Sequence, residues 1–123
     1  MQAVTRGIGA ELVVMFLPFK SQVYLPLLTD SMPAAELSDA LHFYLRDDPR
    51  APDVATMMRN RLAQNAMMRR FCDASGIRFL DTTDALAARV RGGANVYFPD
   101  ESHLNEAGHA IVADTLAGFL RGT

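Results

Sequence analysis

Leu12 to Leu17 is a run of apolar residues with no alternation of hydrophobic and polar positions. A strand reads this way when a parallel sheet is covered on both faces. Pro18 ends it. Ile77 to Leu80 predicts a second short strand. Between the two, Val54, Met57, Met58, Leu62, Met68, Phe71 and Cys72 fall on one broad helical arc, interrupted by Arg61 and Asn65. Asp53 is a good N-cap and Gly76 a stop signal, so the pattern predicts one long helix between them. Strand, helix, strand in that order predicts a parallel crossover.

Further along, Asp81, Thr82 and Thr83 predict the start of a helix that runs through Val90 and stops at Gly92-Gly93. Asp81 reads as that cap, although its place at a strand's carboxyl end makes it a competing catalytic acid. Val96 to Phe98 is a brief extended piece. In the last helix Gly108, Val112, Leu116, Phe119 and Leu120 share one face, and Glu106, Ala110, Asp114, Ala117 and Arg121 the other. Gly108 on the apolar face predicts close approach to the sheet. His109, at the margin of that stripe, reads as a structural histidine. Met1 to Ile8 reads as the tail of a helix stopped by Gly7 and Gly9.

The stretch from Pro26 to Pro52 is less regular, with Pro26, Pro33, Pro49 and Pro52 breaking the pattern. Inside it Leu37, Leu41 and Leu45 predict a short amphipathic helix from about Ala34 to Arg46. His42 and Tyr44 lie on or beside it, and both read as surface or packing residues.

A chain of 123 residues allows one domain with a modest core. Half its residues are hydrophobic and its net charge is −2, values of a globular protein and not of a disordered or strongly basic one. Twelve basic residues against fourteen acidic ones, with no long basic run, exclude a nucleic-acid footprint. The single cysteine, Cys72, excludes an intrachain disulfide and reads as a buried helix position. No apolar run reaches the ~20 residues of a membrane-spanning helix.

Candidate chemistry is concentrated in Tyr97 to His109, Y-F-P-D-E-S-H-L-N-E-A-G-H. An imidazole is the side chain best suited to move protons near neutral pH, and a nearby carboxylate can orient it and stabilise its charged form. Asp100 and His103 stand three residues apart in a predicted loop, with Glu101 as the alternative acid. Leu104 would anchor the loop and Asn105 cap the helix that follows. Phe19 and Lys20 follow the first strand, where ligands bind in open α/β sheets, and are candidate substrate contacts. A metal site of Asp100, His103 and His109 matches no common zinc spacing. No metal or other cofactor is expected.

D-x-x-H followed by L-N-x-x-G-H resembles the last signature block of the SGNH (GDSL-type) hydrolases. Glu11 to Lys20 and Ile77 to Asp81 look like that family's last two strands. The resemblance implies a flavodoxin-like three-layer α/β/α fold, with Asp100 as the orienting acid and His103 as the general base of a Ser-His-Asp triad. No G-D-S block occurs, nor the Gly and Asn blocks that supply the family's oxyanion hole. Ser21, Ser31, Ser38 and Ser75 have no strand–turn–helix context, and Ser102 sits between the two candidate residues. The expectation is therefore a single partial domain over 1–123, the C-terminal half with an incomplete parallel sheet and an insertion at about 27–52. The implied activity is that of an esterase or acyl hydrolase on a small-molecule or carbohydrate ester. The alternatives are a carbohydrate O-acetyltransferase-like protein and a non-catalytic binding or assembly module. An exposed sheet edge would favour a homo-oligomer. Localisation is open; a leader or anchor upstream would place the chain in the periplasm or cell envelope.

Overall fold

The computed structural model describes residues 2–45 and 52–122. Among them the chain is mostly helical around a two-stranded parallel sheet, an α/β architecture. The first helix, α1, is Gln2–Gly7, and strand β1 is Val13–Phe16. Four helices then cross to strand β2, Arg78–Asp81: α2 (Lys20–Ser31), α3 (Ala34–Leu45), α4 (Val54–Asn60) and α5 (Ala63–Ser75). The strands pair from Val13 with Arg78 to Phe16 with Asp81. Thr82 extends the ladder, since its backbone N–H and its hydroxyl both donate to the Phe16 carbonyl, at 3.3 and 2.9 Å. Helices α6 (Thr83–Arg91) and α7 (Glu106–Arg121) complete the chain.

The main core joins Val23 of α2, Leu86 and Val90 of α6, and Val112 of α7 to Val96, Tyr97 and Leu104 of the loop before α7. A second cluster, Leu25, Leu37 and Val54, ties α2 to α3 and α4. Helix α2 therefore carries apolar residues on two sides, and its pattern lacks a clean polar face.

That helix is the largest departure from the expected elements. It starts at Lys20, which corrects one expectation, since Ser21 does follow a strand and a turn at a helix start. Ser21 does not, however, line the crevice beside His103. The helix then continues through Pro26, which the pattern treats as a breaker. A proline inside a helix leaves the carbonyl four residues earlier without its donor. Here that carbonyl is Gln22's, and Arg61 Nη1 donates to it at 2.7 Å. The expected long helix after Asp53 is in turn split at Arg61-Leu62 into α4 and α5. Gln22 Nε2 donates to the Arg61 carbonyl at 2.7 Å, so each residue satisfies the other at an interrupted helix. Buried Asn65 fills out the junction. Its Oδ1 accepts from Gln22 Nε2 at 2.9 Å, and its Nδ2 donates to Asp81 Oδ2 and Thr83 Oγ1, both at 2.8 Å. Arg61 and Asn65 interrupt the apolar arc because they belong to this network.

Several local expectations hold. Asp53 accepts from the Thr56 N–H at 2.7 Å as the cap of α4, and Gly76 ends α5 with φ of +60°. Cys72 is fully buried. Asp81 Oδ1 accepts from Thr83 N and Thr83 Oγ1, and its other oxygen from Asn65, so this carboxylate is engaged structurally. Helix α3 takes the place of the short helix expected from about Ala34, and α2 reaches into the irregular stretch as far as Ser31. The side chains of His42 and Tyr44, and all of Arg46 to Ala51, lie outside the described residues.

Candidate active site

The Tyr97–Leu104 pairing, an isolated antiparallel bridge, closes a loop of residues 98–103. Inside it the Phe98 N–H donates to the His103 carbonyl at 3.0 Å. Asn105 holds the base of the loop. Its N–H donates to the Val96 carbonyl, its Nδ2 to the Asn95 and Tyr97 carbonyls, and its Oδ1 accepts from the Gly108 N–H as the cap of α7. Gly108 is required for close approach, as expected, but the approach is to the loop and not to the sheet. A Cβ there would run into the Val96 carbonyl oxygen and the Leu104 side chain.

Lys20 grips the loop from outside. Its Nζ donates to the carbonyls of Phe98 and Pro99, both at 2.8 Å, with that of Glu101 at 3.5 Å. Expected as a substrate contact, Lys20 instead has its ammonium turned onto the backbone that carries the candidate residues. Phe19, the other expected contact, is exposed and does stand at the crevice described next.

That crevice, of about 320 Å³, opens beyond the carboxyl end of β1. It is lined by Leu17, Pro18 and Phe19 after β1, by Tyr97, Ser102, His103 and Leu104 of the loop region, and by His109 of α7. His109 is exposed here and not set into the apolar stripe of α7. Tyr97 is buried, its hydroxyl donates to the Pro18 carbonyl at 2.8 Å, and its ring meets Tyr24 edge-on. Burial, with a smaller contribution from Tyr24, pushes its phenol up to about 12.

His103 faces this space with its side chain 79% exposed. The carboxylate on it is that of Glu101, whose Oε2 lies 3.0 Å from Nδ1. Asp100, the acid the resemblance assigns, is exposed and hydrogen-bonds to no described residue. Nor does Ser102 bond to either imidazole. Among the described residues no three His, Cys, Asp or Glu side chains converge as a metal set, and no helix is long and apolar enough to cross a membrane.

Sequence reasoning missed the Lys20 grip and the place of His109. Lys20 gives no local signal, because its partners lie 78 and 79 residues away. His109 is four residues after the cap Asn105, so it returns to the same end of α7 as the loop. Comparison with protein-family models, with curated proteins and with solved structures finds no match.

Proposed function

We propose that this chain is the C-terminal portion of an SGNH-type serine esterase or acyl hydrolase, part of a three-layer α/β/α domain whose serine and oxyanion hole lie outside it. The observation that carries the reading is His103, on an open crevice beyond the carboxyl end of β1, with a carboxylate on Nδ1 and no described residue on Nε2. Such a ring can take the proton of a serine hydroxyl as it attacks an ester carbonyl, then return it to the departing alcohol. The same nitrogen activates the water that releases the acid.

Asp100 is the orienting acid of this proposal, and Glu101 its competitor. The Glu101–His103 pair is open to solvent, and pairs of that kind contribute ~0–1 kcal/mol. Giving up that pair so that the imidazole can turn to Asp100 therefore costs little. In the longer protein Asp100→Asn should lower kcat by about three to four orders of magnitude, as loss of a triad acid does. Glu101→Gln should stay within about tenfold, since a screened surface pair can contribute no more. Steady-state kinetics decide; the reverse ranking transfers the role to Glu101.

The experiment that tests the whole reading uses p-nitrophenyl acetate. The chain alone should show no turnover above the background that exposed imidazoles give with this activated ester, because triad members act as a unit. A longer protein carrying an upstream G-D-S block should hydrolyse it, and His103→Ala should abolish that activity. Serine-like turnover by the chain alone, with an acyl-enzyme burst and removed by His103→Ala, refutes the absent nucleophile. One observation favours the non-catalytic alternative: Leu104, Asn105 and Gly108 all have structural tasks that need no reaction. A longer protein with the serine but no His103-dependent turnover would select it.

A further inference from the structure

The loop that carries His103 has no apolar anchor of its own. Residues 98–103 are all exposed, and the bridge between Tyr97 and Leu104 fixes only the loop's base. Among the described residues, the one side chain from elsewhere that hydrogen-bonds within the loop is that of Lys20. An ammonium has three donors and no acceptor. Those of Lys20 face the carbonyls of Phe98 and Pro99, both at 2.8 Å, and that of Glu101 at 3.5 Å, so loop carbonyls close around one charge. The helix does not account for a cation here. Lys20 is the first residue of α2, where the macrodipole disfavours positive charge. Charge-assisted bonds to the loop offset that, and they are stronger than neutral ones.

The grip passes to His103 through a single residue. Phe98 accepts from Lys20 at its carbonyl and donates its own N–H to the His103 carbonyl at 3.0 Å. Lys20 does not line the crevice on which His103 stands; it lines a separate hollow with Tyr24 and Met57. Its effect on the crevice therefore runs through the loop. We propose that Lys20 is a positioning residue: its ammonium fills a cradle of loop carbonyls and thereby sets where the His103 imidazole stands. The catalytic consequence rests on the esterase reading, whereas the positioning belongs to the chain alone.

The test removes the ammonium and then returns it. In NMR spectra of the chain alone, Lys20→Ala should move the Phe98 amide and His103 ring signals and leave the core methyl signals of Val23, Leu86 and Val112 in place. Propylammonium, the fragment that Lys20→Ala deletes, should restore the parent signals saturably, at concentrations on the order of millimolar or above for so small a ligand. Tetramethylammonium, a cation without N–H donors, should not. In the longer protein Lys20→Ala should lower kcat by about ten- to a hundredfold, as a small misplacement of a catalytic group does, with KM nearly unchanged. If Lys20→Ala does not fold, Lys20→Gln, a neutral donor one atom shorter, should move the same signals to a smaller extent. Unmoved Phe98 and His103 signals in the folded variant, shifts spread equally over the core methyls, or no preference for propylammonium over tetramethylammonium would each overturn the proposal. If the signals behave as described while the longer protein shows no His103-dependent turnover, the esterase reading fails and the grip stands. His103-dependent turnover at the parent kcat in Lys20→Ala keeps the esterase and overturns the positioning role.

Discussion

At the scale of single residues, the block that resembles a catalytic signature is also a piece of local engineering. The Asn105 side chain caps α7 and also holds two carbonyls at the base of the loop, those of Asn95 and Tyr97, so its loss removes more than a cap. A cap alone is worth ~1 kcal/mol, and Asn105→Ala should cost more, about 2–3 kcal/mol by urea denaturation. Asn105→Asp keeps the cap acceptor and loses the amide donors, so it should fall between. Tyr97 gives a pH prediction. Its phenol titrates at about 12, above its ordinary value near 10, so the folded state holds the proton more tightly than the unfolded one. Its contribution is fully present below about pH 10 and is lost as pH rises towards 12. Tyr97→Phe should flatten that alkaline loss in denaturation curves, while lowering stability at neutral pH because the Pro18 carbonyl loses its donor. Caps were legible in the sequence because an Asn or Asp bonds to a backbone group three residues ahead. The partner of His103 was not: D-x-x-H and E-x-H both place an acid within reach, and side-chain direction decides between them.

At the scale of elements, strands, caps and the last helix were readable, because their signals are contiguous. Helix α2 was not, because Pro26 lies inside it and it is packed on two sides. The reason it survives is non-local: Arg61 supplies the donor that Pro26 lacks. The split between α4 and α5 has the same cause seen from the other end, with the Arg61 carbonyl given to Gln22. The interruption of the apolar arc by Arg61 and Asn65 was visible in the sequence, but nothing local pairs it with Gln22. Coupling follows from the geometry. Arg61→Ala should destabilise by about 1–3 kcal/mol, the cost of leaving a buried carbonyl unsatisfied. Pro26→Ala restores the N–H that the Gln22 carbonyl lacks, and so should recover more stability in the Arg61→Ala background than in the parent. A double-mutant cycle by denaturation measures it, and additive effects would show that Arg61 does not substitute for the proline's missing donor.

At the scale of the whole molecule, the sheet and the crevice share a cause. Two paired strands bring the segment after β1 beside the Tyr97–Leu104 loop, and Lys20 at the start of α2 locks one to the other. The same arrangement leaves one edge of β1 unpaired among the described residues, with all four of its residues only half-buried. A two-stranded sheet is marginal by itself, and an open edge is a template for another strand. In the proposed domain that strand belongs to the absent half; without it, a second copy of the chain is the available partner. Backbone amides distinguish the two edges. If β1 pairs between copies, the exchange protection of Val13 to Phe16 should rise across about a hundredfold range of protein concentration, by mass action. Protection on β2, whose own outer edge such pairing leaves untouched, should stay level. Sedimentation velocity over the same range should show a concentration-dependent shift towards dimer. A Lys substitution at Val14 should suppress both changes, as edge charges do. Protection of β1 that never varies, alongside a single monomeric boundary, would mean that this edge does not recruit a second copy, and that the two described strands suffice.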